Sequence, residues 1–509
     1  MSRRVIVIGG GPVGLTAALL LARYGMRVAL VERELRPRRR VRTVALDDES
    51  LRVWQACGIA DRIASDWDGG AEGEVMCRYL TPGGRTFLGL RQTGGDLGYP
   101  QAVAVHEGCI AEALSAAVER HPGIVVHRGE TAVSLSQDDD GVEIGLRDEA
   151  GHLRHERGSW AIACDGCDSV VRGLLGVDMP GETLESSWLV ANVAESTPVL
   201  HATIRCDPRR PSVMVSVPHG VRRIECMLED READSVRSDE GAARAMLASV
   251  WPEAARAEII ERAVLRFDAR IARRWRVGRV FLAGDAAHVS PPFAGQGLAA
   301  GLRDAANLAF KMAGAAQGWL PTAVLETYER ERRPHQERLT RLALRLGRLM
   351  TPRSMAAALA TQGIVRAATA LPFADRMLHL RGRAVRPRYR EGFIGAGRLA
   401  GDYLPQPKVG TVDGQVRMLD ELLGERMTWI ALGRGSERGA MQGIPVASGD
   451  TVLIENRDFR DPARVLQGTF GRRSVLLVRP DRIVHTHFRP SLAPWRLLRK
   501  QPCPAIQLA

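Results

Sequence analysis

Gly9-Gly10-Gly11-Pro12-Val13-Gly14 sits between two apolar runs, residues 5–8 and 15–21, in the pattern of a turn that receives a phosphate. Gly9 permits the sharp turn, Gly11 lets backbone approach a pyrophosphate, and Gly14 lets the following helix close on the strand. A helix that starts there offers free N–H groups and a positive dipole end. The next apolar strand, residues 28–31, ends at Glu32, where a carboxylate would accept hydrogen bonds from an adenosine ribose. Gly395-Ala396-Gly397-Arg398-Leu399-Ala400 fits the same loose pattern but lacks a preceding strand and runs into Asp402-Tyr403-Leu404-Pro405. It is expected to be a loop, which leaves one dinucleotide site.

Two further segments carry chemistry. Residues 160–163 predict a strand that runs into Cys164-Asp165-Gly166-Cys167-Asp168-Ser169, an Asp-Gly turn with Asp168 or Ser169 able to cap a helix and Arg172 one turn in. Asp165 at a strand's carboxyl end lies where open α/β sheets bind ligands. The C-x-x-C also has the form of a redox pair, and a disulfide oxidoreductase is the reading it would support. No second pair completes a zinc site, and no metal is expected. Residues 279–283 predict another buried strand, ending in Gly284-Asp285. Pro291-Pro292-Phe293-Ala294-Gly295-Gln296-Gly297 follows, then a helix from 298 to about 312 with Leu298, Leu302, Ala305, Ala309 and Met312 inward. A rigid loop ahead of a helix aims its amides at an anion or a developing negative charge.

The elements that hold these segments belong to a protein of 509 residues, enough for two or three domains. Hydrophobic content of 45% and charged content of 26% are those of a soluble globular chain. Neither a signal peptide nor an apolar span of membrane length is evident, which predicts a cytoplasmic protein without a membrane partner. The net charge is +12, from 71 Lys+Arg of which very few are Lys. The basic residues are scattered without interleaved aromatics, so no nucleic-acid partner is expected; anionic cofactors and an acidic substrate would be attracted. The strands expected at 199–206, 212–218 and 223–228 alternate with turns, and Arg205, His219 and Arg223 on them could bind a carboxylate or take a phenol proton.

Together the trio 9–14, 164–172 and 284–297 resembles the FAD-dependent aromatic hydroxylases of the p-hydroxybenzoate hydroxylase fold, the group A flavoprotein monooxygenases. Within them it is most similar to the 3-(3-hydroxyphenyl)propionate hydroxylase branch. Supporting stretches are Arg42-Thr43-Val44-Ala45-Leu46-Asp47-Asp48-Glu49-Ser50-Leu51-Arg52, Tyr79-Leu80-Thr81-Pro82-Gly83-Gly84-Arg85, Cys206-Asp207-Pro208 and Pro218-His219-Gly220-Val221-Arg222-Arg223. The resemblance implies FAD, with Gly9, Gly11, Pro12, Val13 and Gly14 on its pyrophosphate and Glu32, with Arg33 beside it, on the adenosine ribose. Arg42 would lie near the pyrophosphate and meet NADH or NADPH. Asp165 would serve both nucleotide and pyridine cofactor, and Asp285 the ribityl chain. Gly295, Gln296, Gly297 and Leu298 would face the flavin pyrimidine edge, with Pro292 beside the reactive C4a position. Where the family commonly has a Gln contacting FAD, this chain has His106-Glu107-Gly108.

The implied reaction is hydroxylation of a phenolic compound by NAD(P)H and O₂ through a flavin C4a-hydroperoxide. The implied fold is α/β (α+β): a Rossmann-type FAD-binding domain, an inserted β-sheet substrate domain and a C-terminal thioredoxin-like domain. The expected division is 1–180 with an excursion near 75–100 into the substrate domain, 181–272, 273–394 as the second part of the FAD-binding domain with a basic helical stretch from 322 to about 349 and connecting helices, the run from 352 to 387 reading as connecting, and 395–509 without a C-x-x-C. A structural or homodimer-forming role is expected of the last. The alternatives are a hydroxylase that tailors or inactivates a polycyclic polyketide-like substrate, and a catalytically silent FAD-fold binding protein.

Overall fold

The computed structural model describes residues 4–36, 43–64, 74–92, 95–194, 202–217, 220–371, 386–433 and 446–489. Arg42 and His219 lie outside them.

Strand Arg4–Ile8 is apolar throughout its interior because it is buried on both faces, as a central parallel strand must be. It pairs in parallel with Arg27–Glu32 on one side and Trp160–Ala163 on the other; Val280–Leu282 adds next to the latter, also in parallel. Ile124–Arg128 and the antiparallel Arg276–Val277 complete a six-stranded sheet. Parallel pairing puts the carboxyl ends of three strands side by side. The turns at Cys164 and Gly284, far from the first glycine along the chain, thereby meet it at one sheet edge.

A second, eight-stranded sheet runs in the order His288–Val289, Ile259–Ile271, Gly181–Ala194, Val221–Leu228, Ser212–Val217, Ala202–Arg205, Val75–Leu80, Thr86–Arg91. Its register sorts side chains to two faces. Leu189, Ala191, Val193, Ile224, Cys226 and Leu228 pack beneath helices Ala233–Ser238 and Glu240–Val250. The alternate residues, Trp188, Val190 and Asn192 with Met227, Glu225 and Arg223 opposite them, face the other way. That face receives the turn Pro292–Ala294: Trp188, Phe267 and Phe293 form a trio with ring centroids 5.6 to 5.8 Å apart. A two-stranded ribbon, Thr43–Asp47 with Ala102–His106, packs against strand Ser212–Val217.

The basic stretch expected to be helical from 322 to about 349 forms helix Thr327–Met350. The stretch after 352, expected to connect, contains helix Met355–Thr369. Ser354 caps it by accepting the Ala357 N–H, the local signal that marks its start. The C-terminal sheet runs Thr451–Ile454, Thr428–Ala431, Val475–Val478, Val484–Phe488, with the first pair parallel and the other two antiparallel. Segment 395–400 is irregular and ties onto this sheet, Gly395 N–H donating to His485 O. No helix among the described residues is long and apolar enough to cross a membrane.

Candidate active site

Helix Pro12–Arg23 begins at Gly11 with no side-chain cap and no acidic residue in its first turn. Its orphan amides and dipole are therefore left for a ligand. The three glycines have separate reasons. Gly9 has φ +105°, and a Cβ on it would lie 2.3 Å from Cys164 O; one on Gly14 would lie 1.9 Å from Gly9 O. Around Gly11 a Cβ would meet no protein atom within 4 Å. Gly9 and Gly14 thus close the turn against the protein, whereas Gly11 borders open space. Glu32 accepts the Gly10 N–H at 2.5 Å and the Glu34 N–H at 2.8 Å, so its half-buried carboxylate is fixed beside the turn.

The second motif joins the third. Asp165 accepts from Ser169 Oγ at 2.5 Å and from Val171 N at 3.1 Å, and so braces the turn into helix Val170–Leu174. Arg172 donates to Ala286 O at 3.1 Å and to Cys167 O at 2.7 Å. Cys164 is walled in against Gly9 and Gly14, and burial drives its thiol well above the ordinary cysteine range; burial also raises Cys167. A redox dithiol needs the opposite shift.

Helix Gly297–Gln317 likewise begins without a side-chain cap or an acidic first turn. Asp285, Pro292, Gly295 and Gly297 are all exposed, and a Cβ added at Gly295 or Gly297 would meet no protein atom within 4 Å. Gln296, at the N-cap, does not cap the helix. Its amide donates to Asp47 Oδ2 at 3.3 Å and accepts from Arg303 at 3.1 Å. Arg303, buried, also reaches Glu49 at 2.7 Å and Asp47 at 3.2 Å. Burial works against the Arg303 charge, but Glu49 and Asp47 hold its pKa above the usual arginine value. The neighbouring Asp48 is pushed up to about 7, chiefly by burial, with Arg386 at 2.8 Å opposing and Asp47 and Glu49 reinforcing. The network is missed by motif reading; its signal is the run Asp47-Asp48-Glu49, three carboxylates that need distant cations.

Beneath the loop, Asp304 accepts from Gly284 N at 3.0 Å and Arg332 Nε at 2.8 Å and contacts His288 Nε2 at 2.7 Å. Burial alone would raise Asp304, yet Arg332 and His288 hold it below the usual carboxylate range. This buried network fixes Gly284, and with it the position of Asp285.

Among the substrate candidates, the structure separates Arg205 from Arg223. The Arg205 guanidinium stacks 4.7 Å from the centre of Trp251, on the helix-covered face of the second sheet. It points away from Phe293, because Ile204, one residue earlier, takes the other face. Arg205 therefore stands on the face of the second sheet opposite Phe293. Arg223 lies on the Phe293 face, its Nε 2.6 Å from Glu225 Oε1. His106 caps helix Glu107–Arg120, its Nδ1 accepting from Gly108 N at 3.1 Å. Arg33 is exposed and within 3.7 Å of Glu34. Pro12 and Val13 open the first helix, and Val13 packs where a Cβ on Gly301 would stand, 2.5 Å away.

These residues fit FAD. Two uncapped helix N-termini, each bordered by glycines facing open space, suit the two ends of a dinucleotide: a pyrophosphate at Gly11 and an electron-accepting ring at 295–298. Glu32 stands where the adenosine ribose would be held. Phe293 of the second loop joins that loop to Trp188 and Phe267 of the second sheet.

Residues 2–343 match the family described as FAD binding domain. The 3-(3-hydroxy-phenyl)propionate/3-hydroxycinnamic acid hydroxylase of Burkholderia cenocepacia is 32% identical over 514 residues, covering 94% of this chain and 93% of that one. The protein of the same name from Klebsiella pneumoniae subsp. pneumoniae is 32% identical over 86% of this chain and 80% of its own. Among solved structures, OxyS anhydrotetracycline hydroxylase from Streptomyces rimosus superposes with a TM-score of 0.80 at 25% identity over 99% of both chains. The chain belongs to the FAD-binding-domain family as a flavoprotein aromatic hydroxylase.

Proposed function

We propose that the protein hydroxylates a phenolic ring of 3-(3-hydroxyphenyl)propionate type, consuming O₂ and NADH or NADPH and releasing water and the oxidised nicotinamide. The observation that carries this reading is the aromatic trio. Phe293 belongs to the same turn as Pro292, and Trp188 and Phe267 of the substrate sheet close over it. A ring held there lies between that sheet and the loop that would meet the flavin.

FAD, when bound, supplies hydride acceptance from the nicotinamide and the activation of O₂. The chain supplies position and charge. Gly11 and the first turn of its helix would hold the pyrophosphate, Glu32 the ribose and Asp285 the ribityl chain. The free amides at 297–299 would stabilise negative charge on the reduced ring, since the helix dipole and the amides are already in place. Gln296 is held by Asp47 and Arg303, so the loop keeps its shape without the ligand. Pro291, Pro292 and Phe293 would lie over the reacting edge and limit the approach of water to it.

The test is NAD(P)H oxidation by the FAD-loaded protein with and without 3-(3-hydroxyphenyl)propionate, with product mass. Stimulated oxidation and a product heavier by one oxygen are expected; no stimulation by any simple phenol removes the reading. Such a result with stimulation by a polycyclic phenol supports a second reading, a tailoring or inactivating hydroxylase, which the superposition on anhydrotetracycline hydroxylase favours.

The proposal includes the division at about 180, 272 and 394, a cytoplasmic location, and a thioredoxin-like C-terminal domain that supports a homodimer. The strand order of the C-terminal sheet, one parallel pair followed by two antiparallel ones, supports the domain assignment. Sedimentation of the full chain against one ending at 394 tests the dimer.

A further inference from the structure

The substrate sheet carries a polar cluster on its Phe293 face that the proposed chemistry at the ring does not use. Asn192 is 3% exposed, and its Oδ1 has no hydrogen-bond partner among the described residues. Directly across the strand pair from it stands Arg223, whose Nε donates to Glu225 Oε1 at 2.6 Å. The two charged side chains are only 13% and 12% exposed. Arg223 and Glu225 are flanked across the strands by Val190, Val213 and Val215, while Asn192 also stands opposite the exposed Glu261 on its other side, so the cluster is a polar island bounded by apolar residues and one acidic flank. Such an unpaired buried amide oxygen is costly unless a ligand or water satisfies it.

The island's distance from the aromatic trio is set by the strand. Asn192 lies four residues from Trp188, about 13 Å at the rise of an extended chain, and Glu225 is level with Val190, about 7 Å away. A phenol seated at Trp188 and Phe293 with a short carbon arm along the strand reaches toward this island with the end of its arm.

The charge of the island decides what it can read. Arg223 is already matched by Glu225, so the pair is neutral overall and offers both a guanidinium donor and a carboxylate acceptor. A carboxylate on the arm would gain Arg223 only by standing against Glu225, while its own lone pairs offer nothing to Glu225 or to Asn192 Oδ1. A primary amide, with two N–H donors and a carbonyl acceptor, has a partner for each of the three groups, and an alcohol, with one O–H, has one for Arg223 and for one of the two acceptors. On the reading of the ring site given above, we propose that Asn192, Arg223 and Glu225 select a phenol whose arm ends in an uncharged hydrogen-bonding group, a primary amide or alcohol, over the corresponding carboxylate.

The experiment compares 3-(3-hydroxyphenyl)propanamide with 3-(3-hydroxyphenyl)propionate on the FAD-loaded full chain. Dissociation constants come from titration calorimetry, and kcat/KM from product formation. The amide is expected to bind at least about tenfold more tightly, the size of one hydrogen bond to a charged group. Glu225→Gln unmasks Arg223 and should reverse the preference, while Asn192→Ala should weaken the amide and leave the acid unchanged. The wild-type ratio stands as a test by itself should Glu225→Gln fail to accumulate. A wild-type preference for the acid, or a ratio unmoved by Glu225→Gln, overturns the proposal while hydroxylation of either phenol leaves the ring-site reading intact. If neither phenol binds or is oxidised, both fall together.

Discussion

Gly11→Ala and Gly14→Ala change the same atom count three residues apart and should have opposite consequences. At Gly11 the backbone is extended, φ −72° and ψ 174°, and a Cβ meets nothing within 4 Å. Alanine therefore fits the folded chain without strain and stiffens the unfolded one, a gain of about 0.4–1 kcal/mol in the stability of the FAD-free protein. The added methyl stands in the space that backbone and pyrophosphate would otherwise share. The FAD dissociation constant should rise by about 10- to 100-fold, or roughly 1.4–2.8 kcal/mol. At Gly14 the methyl would lie 1.9 Å from the carbonyl oxygen of Gly9, with Gly9 held by its own N–H bond to Val31 O at 2.8 Å. Strand and helix must part, at a cost of about 1–3 kcal/mol or more. Thermal unfolding without FAD, and FAD titration followed by flavin fluorescence, separate the two effects. A Gly11→Ala protein that binds FAD within twofold of wild type would refute the placement of the pyrophosphate.

Arg303→Met should destabilise by about 3–5 kcal/mol in urea unfolding, because Asp47 and Glu49 lose their buried counter-charge. Asp48, whose folded pKa of about 7 exceeds its unfolded value of 3.8, binds a proton more tightly in the folded state. Its contribution is therefore most favourable below the unfolded value and is lost as pH rises toward 7, so Asp48→Asn should gain stability over wild type between pH 4 and 7 and hold that gain above. Denaturant midpoints across that range check it; a difference independent of pH would contradict the shift. Arg205→Met should leave KM within about twofold, as expected of a residue on the far face, while Trp188→Ala should raise KM by about tenfold or more through loss of ring contact. Steady-state kinetics on the hydroxylated phenol decides between them.

The parts of the site that are legible in the sequence are those written in local backbone chemistry. The glycine turn, the Asp-Gly and Gly-Asp strand ends and the Pro-Pro loop each declare themselves within a short stretch of chain. What is not legible depends on pairings between distant segments. Nothing near Arg205 reveals that its strand turns it under Trp251, since one residue of register decides the face. The long strands Gly181–Ala194 and Ile259–Ile271 are crossed by charged residues, and only their pairing makes them interior strands of the second sheet. Asp47 and Glu49 look like an ordinary acidic helix start; their partner is 254 to 256 positions away.

Those separations have a consequence for the order in which the protein is made. Helix Asp48–Ala56 leaves the ribosome early, yet its charges are answered late: Glu49 and Asp47 by Arg303, Asp48 by Arg386, and Arg52 by Asp420, 368 residues downstream. At about 5–20 residues per second, roughly 20–70 seconds pass between the synthesis of Arg52 and that of its partner. Through that interval the nascent chain can close the Gly9 turn and the first parallel strands, but the acidic turn that grips Gln296 stays unneutralised until Arg303 arrives. The loop that carries Gln296 therefore takes its final shape after the glycine turn at 9–14, and a chain cut before Asp420 would leave Arg52 without the carboxylate that answers it.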